Sequence, residues 1–444
     1  MNETLTRDGR FRGLLNDGVA IFRGITYATY ERFGDAVIVE PGFPEGSSES
    51  GAPASAERPL ESGTATLKPR TAEENADAAT FPVDATDYGC VCPQHSCNLA
   101  SIIGEDKGSV IGEGRLCLSV YAPEGAEGCP VMVWIHGGSF ITGGSEERRY
   151  SGERMVRAGN VVVVKISYRL GALGYLYLPE RGIVNQGLKD QKLALEWIRR
   201  NVGSFGGDPS DITVFGQSAG ALSIAAIIAT ATEPLPFGKA ILQSAPLGIG
   251  ITPKEASRIA RAFLRKLGKD LDEATTEEIL DAQDAVAGMK VGLTFMPMVE
   301  DFRHVPEAAR GLKVVVGYTA QDASPFLTAL GPLFDTFIGR AVISFVTRAI
   351  FARPSEQYFT GLRAAGAEAD RYFIKWCPEG SPLGSCHCIE LPFLLGNYED
   401  WHSSKMLQGM TREEYDSNSA AALKVWTGFA AEGIFRHEGI ICYL

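Results

Sequence analysis

Residues 212–224 read ITVFGQSAGALSI, and this stretch decides the architecture. A β-branched run at 212–215 passes without a linker into Gly216-Gln217-Ser218-Ala219-Gly220 and then into small helix-forming residues. A strand that turns straight into a helix at G-x-S-x-G holds its serine in a tight, strained backbone and lifts Oγ above the sheet edge. Glycines on both sides let strand and helix approach closely. The first N–H groups of the helix point to where negative charge would develop. The plainer reading of Ser218 is a helix cap; the strand before it and the helix after it favour a nucleophile.

Upstream, residues 131–140 read VMVWIHGGSF. A buried strand ends in His136-Gly137-Gly138, where glycine lets main-chain N–H groups converge on one oxygen without a Cβ in the way. This order, HGG after a strand and then the serine turn, is the one expected for α/β-hydrolases. The expected oxyanion donors are the N–H groups of Gly138, Ser139 and Ala219, with His136 as a structural hydrogen-bonding residue beneath the loop.

Further β-branched runs, VVVVKIS at 161–167, KAILQ at 239–243, LKVVV at 312–316 and RYFIK at 371–375, alternate with helical patterns. Such alternation predicts an α/β fold with a central, mostly parallel sheet flanked by helices. Unbroken apolar runs such as VVVV suit strands covered on both faces. Residues 188–202 place Leu188, Gln191, Leu195, Ile198 and Val202 near one helical face and stop at SFGGDP. Helices are also expected over 253–290, where TTEE makes a capping pattern, and over 337–352 and 411–432. The segments 253–290 and 330–365 read as helical insertions forming a reduced cap on a single domain, 1–444. Residues 41–82, rich in Gly, Ser, Pro, Ala and Glu, have too little apolar surface to offset ordering entropy and read as a mobile surface insertion.

With 45% hydrophobic and 22% charged residues, the 444-residue chain has the balance of an ordinary globular protein. A net charge of −12 repels phosphate backbones and anionic lipid, which disfavours nucleic-acid and membrane-surface partners. The longest apolar stretch, 219–231, falls short of the roughly 20 residues a membrane span needs. The polar N-terminus has no signal-peptide core, and nine cysteines, an odd number, leave at least one free thiol. Both point to the cytoplasm, where thiols stay reduced. Oligomeric state is not legible.

A serine nucleophile needs a base and an acid, which in this fold follow it in the order Ser, Asp or Glu, His. Of the six histidines, His95 and His136 precede the serine. His387, in SPLGSCHCIELPFLLG after the RYFIK run, is placed to swing over the sheet edge, whereas His304 and His402 have polar surroundings. Asp322, in VGYTAQDASPF, follows LKVVV at a strand's C-terminal end.

The motifs FRGITYA at 22–28, CPQ at 92–94, WIHGGSF at 134–140, SYRLGALGYL at 167–176, NQGLKDQKLALEWIRRNVGSFGGDPSDITVFGQSAGA at 185–221, FMPMVED at 295–301 and HCIELPFLLG at 387–396 resemble the type-B carboxylesterase family, which includes the cholinesterases. The resemblance implies hydrolysis of a small-molecule carboxylic ester through an acyl-enzyme by Ser218, Asp322 and His387, without metal or organic cofactor. It also implies Glu390 and Ser244 as support behind the histidine. The same triad could instead pass its acyl group to an alcohol or amine. A non-catalytic binding module is the remaining reading, against which all three roles are filled.

Several positions depart from the family pattern. The acid is Asp where Glu is usual, so its loop must approach the histidine more closely. Gln217 stands where Glu is common, which is expected to remove a buried charge without touching the chemistry. Arg115 falls where a disulfide cysteine would lie, so that bridge is expected to be absent. Short spacings between the three catalytic positions predict a wide, shallow mouth. Cys90, Cys92, His95 and Cys97 lie within eight residues, but C-x-C-x2-H-x-C is not a standard zinc spacing, and no metal is expected. Cys386 and Cys388 are expected to point away from the serine. The pocket is expected to draw on Leu247, Phe295, Met296, Phe334 and Phe337 for an apolar acyl or aromatic group, although these side chains equally suit plain core packing.

Overall fold

The computed structural model describes residues 2–39, 82–95, 100–104, 108–288 and 293–442. Almost all of the 41–82 insertion lies outside the described residues. The main strands are β1 (Asn2–Thr6), β2 (Gly9–Asn16), β3 (Val19–Thr29), β4 (Arg115–Pro123), β5 (Cys129–Ile135), β6 (Val162–Ile166), β7 (Gly207–Gln217), β8 (Lys239–Gln243), β9 (Lys313–Thr319), β10 (Glu368–Ile374) and β11 (Ile441–Cys442). They join in the order β1-β2-β3-β4-β6-β5-β7-β8-β9-β10-β11. From β6 to β10 all neighbours are parallel, while the flanking pairs are antiparallel.

The VMVWI run shows why this sheet is covered twice. Side chains alternate across a strand, so Val131, Val133 and Ile135 enter one core while Met132 and Trp134 enter the other, all at 0% exposure. Each large side chain so buried is worth about 1.5–3 kcal/mol. Helices α1 (Gln186–Asn201) and α2 (Ala219–Ala229) cover the first face, with Leu195 and Ile224 in its core. The opposite face is covered by a helix over Arg412–Glu432, whose Trp426 and Phe429 join the second core.

The expected parallel strands all form, and 239–243 has the expected bounds. The 253–290 segment is two helices, α3 (Pro253–Leu267) and α4 (Thr276–Val286), the second opened by a Thr275–Glu278 capping box. The 337–352 helix is α-helical over Phe337–Thr347 and then widens into a π-turn over Arg348–Ala352. Pro354, four residues beyond Ile350, has no N–H to give that carbonyl. The Gly248 N–H takes it instead, at 3.0 Å. Among the described residues, no helix is long and apolar enough to cross a membrane.

Behind the sheet's working edge, Arg169 grips Asp190 with two bonds, Nε–Oδ2 at 2.8 Å and Nη2–Oδ1 at 2.6 Å, both side chains fully buried. This pair ties the turn after β6 to α1.

Candidate active site

β7 ends at Gln217, and Ser218 sits at φ 56° and ψ −119° before α2 begins. A non-glycine residue in this region is strained. It is held there by its own N–H, which donates to Gln243 O at 2.9 Å on β8. The close approach also depends on Gly220, because a Cβ there would lie 2.0 Å from Ile135 O. Ser218 is half-buried, at the floor of a cleft of about 380 Å³.

The glycine loop after β5 folds over Gln217 and Ser218: a Cβ on Gly137 would lie 2.8 Å from Gln217 O and 3.3 Å from Ser218 Cβ. Gly138 and Ser139 then take φ of 109° and 57°. Ile141 N–H and Thr142 N–H both donate to Gly138 O at 3.0 Å, which closes the turn. The N–H groups of Gly138 and Ser139 donate to no other described residue. Gln94 of the CPQ motif braces the loop from outside, accepting from Gly143 N–H at 2.6 Å and donating to Gly143 O at 2.9 Å. The sequence quoted CPQ only as a family mark; this clamp could not be read from it.

His136 stacks on Tyr168 with ring centroids 4.4 Å apart and bonds Gly137 O through Nδ1 at 2.8 Å. Burial lowers its pKa to about 4. A ring held neutral under the loop fits the structural role expected of it.

Two loops bring the expected acid and the expected base together. Gln321 N–H donates to Ser385 O at 2.9 Å, and Ser385 N–H returns a bond to Gln321 Oε1 at 2.7 Å. With the loops so clamped, Asp322 Oδ1 lies 2.7 Å from His387 Nδ1, at 0% and 1% exposure. The shorter acid therefore reaches its partner. Phe326 and Phe351 flank the imidazole at 5.2 and 5.3 Å, the latter presented by the π-turn.

Glu390 is fully buried and accepts from Gln243 Nε2 at 3.1 Å. Burial raises its pKa, which the bond from Gln243 partly offsets. Among the described residues, Ser244 Oγ and Glu390 Oε2 have no hydrogen-bond partner.

Gln217 lies directly against the expected base. Its Nε2 lies 3.0 Å from His387 Nε2. The expected pocket residues lie elsewhere. Leu247 is buried in the first core, Phe295 and Met296 line a separate small void with Tyr175, Phe334 lines a second cavity beside Gln321, and Phe337 is 81% exposed. The cleft at Ser218 is instead lined by Val91, Ile103, Ile111, Tyr150 and Leu391, together with the Glu147–Arg149 pair. Their positions are scattered over segments with no local signal in common. Cys388 also lines the cleft, while Cys386 is fully buried.

The described members of the short cysteine cluster point to different partners. Cys90 Sγ faces Cys117 Sγ at 3.8 Å, Cys92 Sγ accepts from Leu170 N–H, and Cys97 lies outside the described residues. His95 turns to α4, with Nδ1 2.7 Å from Asp284 and Nε2 3.3 Å from Glu277, both of which raise its pKa.

The carboxylesterase family model matches residues 68–336. A probable N-octanoylanthranilate hydrolase of Rhodococcus erythropolis is 30% identical over 98% of this chain and 94% of its own length. The para-nitrobenzyl esterase of Bacillus subtilis is 32% identical over 79% and 80%. A solved PNB esterase superposes with a TM-score of 0.79 at 28% identity, covering 97% of this chain and 91% of its own. The chain belongs to the type-B carboxylesterase family, a carboxylic ester hydrolase on the α/β-hydrolase fold.

Proposed function

We propose that the enzyme cleaves its ester through an acyl-enzyme on Ser218. The observation that carries this reading is the convergence, in one cleft, of a strained serine, an imidazole backed by a buried carboxylate, and main-chain N–H groups that have no partner among the described residues. His387 Nε2 takes the Ser218 proton as Oγ bonds to the carbonyl carbon, and Asp322 steadies the imidazolium. The N–H groups of Gly138, Ser139 and Ala219 receive the oxyanion. Collapse breaks the ester C–O bond, and the proton passes from His387 to the departing alkoxide. Water then repeats the sequence and frees the acid.

Glu390 and Ser244 act behind the histidine in this scheme. An apolar or aromatic ester is supported by Val91, Ile103, Ile111 and Leu391 along the cleft, and by the anthranilate and nitrobenzyl groups in the names of the two relatives. The helical segments at 253–286 and 337–364 serve as a cap. Free thiols at the eight described cysteines suit a reducing compartment such as the cytoplasm. The test is a rapid-mix assay with a p-nitrophenyl ester. One equivalent of nitrophenol should burst from the wild type and none from Ser218→Ala; a burst that survives in the variant overturns the assignment.

A further inference from the structure

His387 has two ring nitrogens, and both are spoken for. Nδ1 faces a carboxylate oxygen of Asp322, so Nδ1 carries a proton and donates. Nε2 faces Nε2 of Gln217, an amide nitrogen that can only donate. Two N–H groups cannot point at each other, so the contact requires a neutral ring whose Nε2 lone pair accepts from Gln217. That lone pair is the one a general base must offer to Ser218. No described residue hydrogen-bonds Ser218 Oγ. An in-plane lone pair accepts one donor well, so the serine hydroxyl reaches the base only after the amide has moved.

The amide has few places to go. Gln217 is 2% exposed, its main chain is the last residue of β7, and its Oε1 packs over Gly137. The open side is the cleft, which Gln217 lines together with Ser218 and His387. An acceptor placed there by a bound ester would take the N–H that Nε2 loses, and a buried donor left without one is costly.

We propose that Gln217 is a specificity-determining residue that caps the His387 base in the resting enzyme. Esters carrying a hydrogen-bond acceptor next to the scissile carbonyl, an ether or a second carbonyl oxygen, draw the cap away. The inference rests on the acyl-enzyme reading above. Among the described residues, the ionisable groups beside the ring are Asp322 from the loop after β9, and Cys386, Cys388 and Glu390 from the histidine's own loop. None of these occupies Nε2.

The experiment compares p-nitrophenyl butyrate with p-nitrophenyl methoxyacetate, which differ by one CH2-to-oxygen exchange, in the wild type, Gln217→Met and Gln217→Glu. Ratios of kcat/KM are divided by the ratio of hydroxide-catalysed rates, which removes intrinsic reactivity. The wild type should prefer methoxyacetate by about 10-fold, the worth of one good hydrogen bond. Gln217→Met, of similar length without the donor, should lose that preference. In Gln217→Glu the carboxylate accepts from the imidazolium, so the acid limb of kcat/KM should rise by about one pH unit. The inference is overturned if the three proteins share one preference ratio, or if the limb stays put in Gln217→Glu. A burst that survives in Ser218→Ala overturns the acyl-enzyme reading and this one together, whereas a burst lost in Ser218→Ala with indifferent Gln217 variants overturns only this one.

Discussion

Asp322 uses both carboxylate oxygens: Oδ1 lies 2.7 Å from His387 Nδ1, and Oδ2 accepts the Thr319 N–H at 2.8 Å. The second bond stops the carboxylate from rotating, so the proton it orders on Nδ1 leaves Nε2 free of one.

Asp322→Asn presents an amide that can donate to Nδ1 and stabilise the wrong tautomer. The kcat for a p-nitrophenyl ester should fall by about 10⁴, as expected for loss of a triad acid's charge. Steady-state kinetics beside an acyl-enzyme burst would check whether the loss lies in acylation.

The buried His136 makes a stability prediction. Its pKa in the fold is about 4, against about 6.5 in an unfolded chain. Above pH 6.5 both states are neutral and the residue contributes no pH dependence. Between about 6.5 and 4 the unfolded state binds the proton and the native state does not, so stability falls as pH falls, by up to about 3 kcal/mol. In His136→Asn this contribution should vanish, giving a flatter Tm profile from pH 6.5 to 4.5 by differential scanning calorimetry, whatever the offset at pH 7.

Gly220→Ala tests the close approach beneath the nucleophile. The new Cβ would meet Ile135 O at 2.0 Å, main chain against a methyl. A loss of about 3 kcal/mol is expected, measured by urea unfolding, with reduced turnover because β5 carries the glycine loop. Gly203→Ala, with nothing within 4 Å of the new Cβ, is the control and should change stability by less than about 1 kcal/mol.

The parallel half of the sheet and the strained turn at Ser218 were legible because both are local patterns: VVVV, KAILQ and ITVFGQSAG each carry their own signal. His387 and Asp322 could be chosen by chain order alone, since the fold fixes that order. β1 and β2 escaped notice because exposed polar residues are mixed among their apolar ones, whereas β3 and β4 are buried along nearly their whole length and were simply not picked out. The lining of the cleft at Ser218 was not legible for a different reason. Phe295 and Met296 look like pocket residues by composition, whereas the residues that do face Ser218, such as Val91 and Leu391, are made neighbours only by tertiary folding. The Gln217–His387 bond spans 170 positions, and nothing local to either residue announces it.

Ser218→Gly removes the nucleophile and the strain together. At φ 56° and ψ −119° glycine carries little of the about 1–3 kcal/mol that a side-chain-bearing residue stores. Ser218→Gly should therefore unfold at higher urea than Ser218→Ala, with both devoid of turnover.

That strain also gives the chain's history a slope. Wherever selection for turnover lapses, the first substitutions tolerated at this position are those that firm the molecule as they silence it. A lineage could leave catalysis by descending, and it would have to climb to return.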